Sequence, residues 1–330
     1  MKAAYFTTTG NPDVIQYGDR PDPVPQTGEV RVRVEVSAVN PIDLYIRAGT
    51  VAMSLPNPFI PNCDLAGIVE SVGPGTSRFR VGDRVWGSNQ GLLGRQGTAA
   101  EFACVAEDWL YPVPQGVRAS DAAAGALTGI TAHLGLFRAA QLKAGETVFV
   151  NGGTGGVGSM VVQLALATGA KVITTVGSAD KAALVGEWGA TAINYRDEDV
   201  PRRVKEVTEG KGVTVWYETQ REPQFLQIVD LMAPRGRIVV IAGRTAQPIF
   251  PVGPFYVKGL TLHGFAMFNA TPAEQRVCAE DINRWLAEGK LRPPIGKEFS
   301  LAETAAAHRF LEENTLGKAG TLLGKVLINT

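Results

Sequence analysis

The fold turns on the stretch Thr147-Val148-Phe149-Val150-Asn151-Gly152-Gly153-Thr154-Gly155-Gly156-Val157-Gly158. A short strand-like run passes into a glycine-rich loop in which Gly153, Gly155 and Gly158 satisfy G-x-G-x-x-G. Such a loop takes the chain sharply from strand to helix. It leaves the backbone bare enough for a pyrophosphate to approach, with helix N–H groups facing the anion. Alone the motif is weak. Its setting strengthens it, because a strand over 147–151 precedes it, a helix over 157–168 follows, and a second strand over 171–176 comes next.

The same alternation continues outward. Helices are expected over 181–188, 200–208 and 223–232, with strands over 191–194, 213–217, 237–242 and 260–265. Ile238-Val239-Val240-Ile241 is apolar throughout, as a parallel strand covered on both faces must be. Before the loop, Ser120 is placed to N-cap a helix over 122–142, with Asp121 in its first turn. This grammar predicts a doubly wound α/β sheet.

Upstream the pattern differs. Val30-Arg31-Val32-Arg33-Val34-Glu35-Val36 alternates apolar and charged residues, the mark of a strand with one wet face. Further strands are expected over 66–72, 84–86 and 101–105, separated by tight Gly/Pro turns, so residues 1–121 read as a small β-rich domain. Downstream, two amphipathic helices over 272–288 and 302–314 and a closing strand over 324–329 make a poor domain alone. Residues 266–330 are therefore assigned back to the first domain, leaving 122–265 as the dinucleotide-binding one.

Composition narrows the class. The 330 residues carry 32 Lys+Arg against 32 Asp+Glu, and show no basic cluster, which argues against a nucleic-acid partner. No apolar run approaches the roughly 18 residues of a membrane span, and the first ten residues lack a signal-peptide core, so a cytoplasmic location is expected. Cys63, Cys104 and Cys278 are odd in number and widely spaced, which suits a reducing compartment. Glycine is in excess, and 18 of the 38 fall within 67–97 and 145–189, among the β-domain turns and around the loop.

An NAD site usually ends its second strand in Asp or Glu, for the ribose 2′-hydroxyl. Here the strand ends Thr175-Val176-Gly177-Ser178, and Ser178 and Lys181 follow as a hydroxyl donor and a charge suited to phosphate. Tyr195-Arg196, past the third strand, is placed to close the same pocket. Asp180 is the contrary residue, explained equally well by the helix dipole, and Lys181 taken alone is an ordinary solvated helix residue. Together these residues favour NADP(H).

Asn40-Pro41-Ile42-Asp43-Leu44-Tyr45-Ile46-Arg47-Ala48-Gly49, Asp64-Leu65-Ala66-Gly67-Ile68-Val69, Val81-Gly82-Asp83-Arg84-Val85 and the 152–158 loop resemble the medium-chain dehydrogenase/reductases. Within them the chain is most similar to the zeta-crystallin-like quinone oxidoreductases. The resemblance runs from Met1 to Gly324-Lys325-Val326-Leu327-Ile328. It implies a Rossmann doubly wound parallel sheet inserted in a GroES-like β-rich catalytic domain, and NADPH-dependent reduction of quinones or other conjugated carbonyls by a homodimer or homotetramer. By position it implies that Asn40 and Tyr45 line the nicotinamide and substrate cleft, and that Thr131 lies near the nicotinamide. Gly153, Thr154, Gly155, Gly156, Val157 and Gly158 would form the pyrophosphate loop, and Ser178, Lys181 and Tyr195 the 2′-phosphate pocket. Ala242-Gly243-Arg244 and Phe265-Ala266-Met267 would pass the nicotinamide end.

Zinc-dependent relatives place Cys in a cleft-lining loop and a His-Glu pair after the next turn. Asn40 and Cys63-Asp64 stand there instead, and His133, His263 and His308 lack ligand spacing, so no metal is expected. Without a Lewis acid the natural reaction is hydride delivery to a conjugated acceptor. The protein then orients the reactants, excludes water and hydrogen-bonds the developing oxyanion. Asn40 and Tyr45 are the candidate donors, Tyr45 being as readily a packing aromatic. An enoyl-thioester reductase and a catalytically silent NADPH-binding protein, crystallin-like or RNA-binding, are the alternatives. Two departures from the family stand out: Glu218–Pro223 contains no glycine, and Pro254-Phe255-Tyr256-Val257 and Met267-Phe268 add bulk.

Overall fold

The computed structural model describes residues 1–317 and 319–330. Two compact units divide the chain: Met1–Leu127 with Thr271–Thr330, and Thr128–Ala270. The sequence reading sets these divisions at 121/122 and 265/266.

The second unit is a six-stranded, wholly parallel sheet. Its spatial order is Thr191–Asn194, Lys171–Val176, Thr147–Asn151, Val213–Glu218, Met232–Val240, Thr261–Gly264. The order reverses between Thr147–Asn151 and Val213–Glu218, which is the topological switch point where α/β sheets bind ligands. This is the doubly wound Rossmann sheet that the alternating pattern implies. The inner strands are buried on both faces, as Val148-Phe149-Val150 and Ile238-Val239 are, whereas the outer strand Thr261–Gly264 is largely exposed. Phe149 and Trp216, on neighbouring strands, stack with ring centroids 4.0 Å apart, and Ile173, Ile193, Ile228 and Ile238 fill in around them.

Three local expectations need correction. Ser120 is not an N-cap: the helix begins a residue earlier and runs Ala119–His133, with Ser120 inside it. It does not continue as α-helix to 142, because Leu134–Ala139 widens into a π-turn. A side chain on Gly135 would meet the Tyr217 ring at 2.4 Å, so this turn packs directly on that aromatic. The fifth strand also starts earlier than expected, at Met232, directly after the helix Phe225–Leu231.

The first unit is β-rich. Glu29–Val39 is its central strand, pairing with Asp64–Val72, Phe102–Ala106 and Lys325–Asn329. Val30, Val32 and Val34 turn inward onto Leu65, Val69, Val85 and Val105, while Arg31 reaches out to Glu70 at 3.1 Å. The last strand joins this unit antiparallel to Glu29–Val39. Lys2–Tyr5, Gln16–Asp19 and Ile295–Ser300 are further strands that the patterning does not reveal. Among the described residues no helix is long and apolar enough to cross a membrane.

Candidate cofactor turn and buried polar network

All six parallel strands release their connecting loops at one edge of the sheet, and the expected cofactor residues of this unit lie on those loops or next to them. After Asn151 the chain turns at Gly152 in the left-handed region, φ +88°, and Gly155 stands as N-cap of the helix Gly156–Ala167. The three motif glycines have different reasons. A Cβ on Gly153 would fall 2.1 Å from Thr174 Oγ1, and one on Gly158 would fall 2.0 Å from the Gly152 carbonyl. Those two are demanded by close packing of strand and helix. Gly155 is exposed, and a Cβ there would meet nothing nearer than the Gly152 carbonyl at 3.6 Å. Its bare backbone faces outward beside the free N–H groups of the helix start, which suits an approaching pyrophosphate. Thr154 is buried; Gly156 and Val157 are half-buried.

A hydrogen-bonded chain pins this turn. The Gly152 N–H donates to Thr175 Oγ1 at 2.8 Å, and the Thr175 hydroxyl donates to Asn151 Oδ1 at 2.8 Å. Asn151 Nδ2 then donates to both carboxylate oxygens of Glu218, at 3.0 and 3.1 Å. Trp216 Nε1 and the Gln220 N–H also donate to Glu218, at 3.1 and 2.7 Å. Burial pushes the Glu218 carboxyl up, and these donors oppose it. The sequence singled out 218–223 only for its missing glycine. Its signal for Glu218 is an acid closing an otherwise apolar strand.

Past the second strand, Ser178 N-caps the helix Ala179–Trp188, its hydroxyl accepting the Lys181 N–H at 3.4 Å. The Tyr195 N–H donates to the Val176 carbonyl at 3.1 Å, and its phenol lies against Gly177, where a Cβ would meet the oxygen at 2.5 Å. The Lys181 ammonium is held below the usual lysine range by partial burial and then by the nearby positive charge of Arg196. Ser178, Lys181 and Tyr195 therefore gather around one strand end, with Arg196 beside them. Asp180 is exposed in the first helical turn.

The remaining expected residues lie along the same unit. Ala242-Gly243-Arg244 follows the fifth strand, with Gly243 left-handed at φ +90°. Phe265-Ala266-Met267 follows the sixth, with the Arg138 guanidinium 5.9 Å from the Phe265 ring centre and Met267 buried. Thr131 is buried on its helix, and its carbonyl accepts the Tyr217 hydroxyl at 2.8 Å.

The first unit holds Asn40 and Tyr45 on a quite different feature. Asn40 is the N-cap of the short helix Pro41–Arg47, and its N–H donates to Asp43 Oδ2 at 2.7 Å. Asn40 Nδ2 donates to Asp64 Oδ2 at 2.8 Å, and Asn40 Oδ1 accepts from the Lys325 ammonium at 2.5 Å. Lys325 Nζ also donates to the Val39 carbonyl at 3.0 Å and lies 3.7 Å from Asp64 Oδ2. The Cys63 thiol donates to Asp43 Oδ1 at 2.9 Å, and the Leu127 N–H donates to Asp64 Oδ1 at 3.2 Å. Asn40, Asp43, Cys63, Asp64 and Lys325 are all buried, whereas Tyr45 is half-buried in the second turn of the helix.

Burial raises the Asp43 carboxyl to about 7, raises Asp64 above its usual range and lowers Lys325. Burial, then the charges of Asp43 and Asp64, drive the Cys63 thiol far up, so it stays protonated. These residues are a poor fit for a zinc ion, because Asn40 Oδ1 and Asp64 Oδ2 already face the Lys325 ammonium, whose charge would oppose a cation there. Among the described residues no group of three His, Cys, Asp or Glu side chains is arranged to hold a metal.

Comparison with known proteins gives two domain matches and full-length relatives. Residues 26–115 match the alcohol dehydrogenase GroES-like domain, and residues 156–284 match the zinc-binding dehydrogenase domain. The chain is 33% identical over 325 residues to a quinone oxidoreductase of Rattus norvegicus, covering 98% of this chain and 97% of that one. The crystal structure of Escherichia coli quinone oxidoreductase complexed with NADPH superposes with a TM-score of 0.86 at 28% identity, over 100% of both chains. A crystal structure of an NAD-dependent alcohol dehydrogenase superposes with a TM-score of 0.89 at 30% identity, again over 100% of both.

Proposed function

Since the chain belongs to the zeta-crystallin-like quinone oxidoreductases of the medium-chain dehydrogenase/reductase superfamily, we propose that it is a zinc-independent NADPH-dependent reductase of quinones or other α,β-unsaturated carbonyls. One observation carries the cofactor choice. The second strand ends without an acid, and Ser178, Lys181 and Arg196 stand there together. An adjacent pair of cations beside a hydroxyl suits the 2′-phosphate of NADPH, and the nearest carboxylate, Asp180, stands in the first turn of the following helix rather than at the strand end.

NADPH, when bound, supplies the hydride. Gly155 and the helix start behind it would hold its pyrophosphate, and the Glu218–Asn151–Thr175 chain keeps that turn in shape before the cofactor arrives. We assign the hydrogen bond to the developing oxyanion to Tyr45. Both polar atoms of the Asn40 amide are committed inside the protein, which makes Asn40 a residue that holds the Tyr45 helix rather than one that meets substrate. The Lys325 ammonium beside Asp64, which would oppose a zinc ion there, supports a metal-free reaction.

The test is NADPH oxidation by the purified protein against quinones, enones and enoyl thioesters, alongside NADH. Turnover of quinones or enones with NADPH preferred is expected. Turnover of thioesters alone would move the assignment to an enoyl-thioester reductase, and NADH preference would remove the phosphate pocket. No turnover with any acceptor would leave a silent binder.

We also propose that the protein is a homo-oligomer built through the outer strand Thr261–Gly264. Among the described residues that strand pairs on one side only. Ile249, Val252, Tyr256 and Val257, on and before the preceding helix Val252–Val257, are exposed apolar side chains, Val257 at 74%. An open strand edge beside such a patch invites a second copy.

A further inference from the structure

We propose that Lys325 is a positioning residue for Tyr45, its ammonium serving as the resident cation of a closed oxygen cage that holds the Asn40 end of the Tyr45 helix. The part concerning Tyr45 rests on the function proposed above; the cage itself does not.

The chemistry of the donors leaves only one arrangement. An ammonium can only donate, so Asn40 must face Lys325 with its carbonyl oxygen. A carboxylate can only accept, so Asn40 must face Asp64 with its amide nitrogen. Lys325 and Asp64 thereby set the orientation of the Asn40 amide between them. The Lys325 ammonium donates to the Val39 and Asn40 oxygens and is paired with the Asp64 carboxylate at 3.7 Å. The Asn40 backbone is fixed in turn, through its N–H to Asp43 and through Val39 before it.

This bears on Tyr45 because the helix Pro41–Arg47 is only seven residues long, too short to hold its own geometry. It is clamped at both ends. The cage grips its N-terminus, and the buried Arg47 donates to Glu312 at 2.8 Å at its C-terminus. Stability alone does not explain an ammonium at the first clamp. A buried ion pair is often no more stabilising than well-packed apolar residues, so its worth here lies in direction. Nor does a metal serve instead, since the Asn40 and Asp64 oxygens that it would need already face the Lys325 ammonium.

Lys325→Met alone leaves Asp64 buried beside no cation and can fail to fold. The informative variant is therefore Lys325→Met with Asp64→Asn, which removes the pair as a neutral whole. Hydrogen exchange by mass spectrometry on the full chain should show residues 44–49 exchanging about tenfold faster, with the other strands of this unit unchanged. With NADPH and menadione, kcat should fall about tenfold while KM for NADPH stays within about twofold. Tyr45→Phe should slow the wild type and add nothing further in the double variant.

Unchanged exchange at 44–49 would overturn the cage. Unchanged kcat, or an equal cost of Tyr45→Phe in both backgrounds, would overturn the link to Tyr45. If the wild type reduces no acceptor, the functional reading fails while the exchange result still decides the cage.

Discussion

Glu218 and Asn151 end two neighbouring parallel strands, and the Asn151 amide donates to both oxygens of the Glu218 carboxylate, at 3.0 and 3.1 Å. Through Thr175 this contact reaches the N–H of Gly152, the first residue of the cofactor turn. A buried carboxylate on a strand end thus shapes a loop that it does not belong to. Glu218→Ala strands the donors of Asn151, Trp216 and Gln220. It should cost about 2–4 kcal/mol in urea unfolding and weaken NADPH binding in a fluorescence titration. Unchanged cofactor affinity would mean that the turn holds its shape unaided.

The glycines of the loop should separate packing from binding. Gly158→Ala forces a methyl against the Gly152 carbonyl and should cost about 1–3 kcal/mol of stability. Gly155→Ala adds a methyl into open space, so stability should change by less than about 1 kcal/mol. NADPH affinity should nonetheless fall about tenfold or more in Gly155→Ala, because the methyl stands where we propose that the pyrophosphate approaches. Thermal unfolding and cofactor titration of the same two variants check both halves.

Lys181→Ala should weaken NADPH more than NADH, by about 1–3 kcal/mol, as expected when a charge-assisted hydrogen bond to phosphate is lost. Arg196→Ala should act in the same direction. Paired titrations with the two cofactors measure this, and an equal loss for both would place the phosphate elsewhere.

Two buried groups of the first unit should give opposite pH slopes. Burial, then the charge of Arg47, lowers His308 from 6.5 to about 3. Its contribution is complete above about pH 6.5 and is lost as pH falls toward 3, at about 1.4 kcal/mol per pH unit. Asp43, raised from 3.8 to about 7, favours folding most at low pH, and that contribution is lost as pH rises from about 4 to about 7. The two oppose each other in the wild type. His308→Gln should therefore expose a stability that falls with pH, and Asp43→Asn one that rises. Urea unfolding at about pH 4.5 and 6.5 tests both signs.

Val257→Asp and Tyr256→Asp put charge on the exposed face beside the outer strand Thr261–Gly264. Both should shift the protein to monomer in analytical ultracentrifugation without loss of cooperative unfolding, since neither side chain is buried within the chain. A wild type that sediments as a monomer would remove the proposed interface.

Much of the molecule is legible from local patterns. The spacing of Gly153, Gly155 and Gly158, the strand and helix periods around them, and the missing acid after Val176 all lie within about 50 residues. A parallel strand buried on both faces must be apolar, and a strand meeting a helix at van der Waals distance must carry glycine. Such requirements write themselves into neighbouring positions.

What the sequence could not reveal was decided by contacts between distant residues. The family resemblance offers Asn40 as a candidate donor to substrate. In the fold its amide also bonds Asp64 and Lys325, the latter 285 positions away, partners that no local pattern announces. Ile295–Ser300 becomes a strand because Lys325–Asn329 lies beside it, with a Cβ on Gly296 falling 2.1 Å from the Leu323 carbonyl. Glu218 becomes the anchor of the glycine-rich turn only once Val213–Glu218 pairs with Thr147–Asn151. Periodicity records which face of an element is dry. It does not record which buried polar groups meet there, and that is settled only when the chain closes on itself and each donor must find an acceptor.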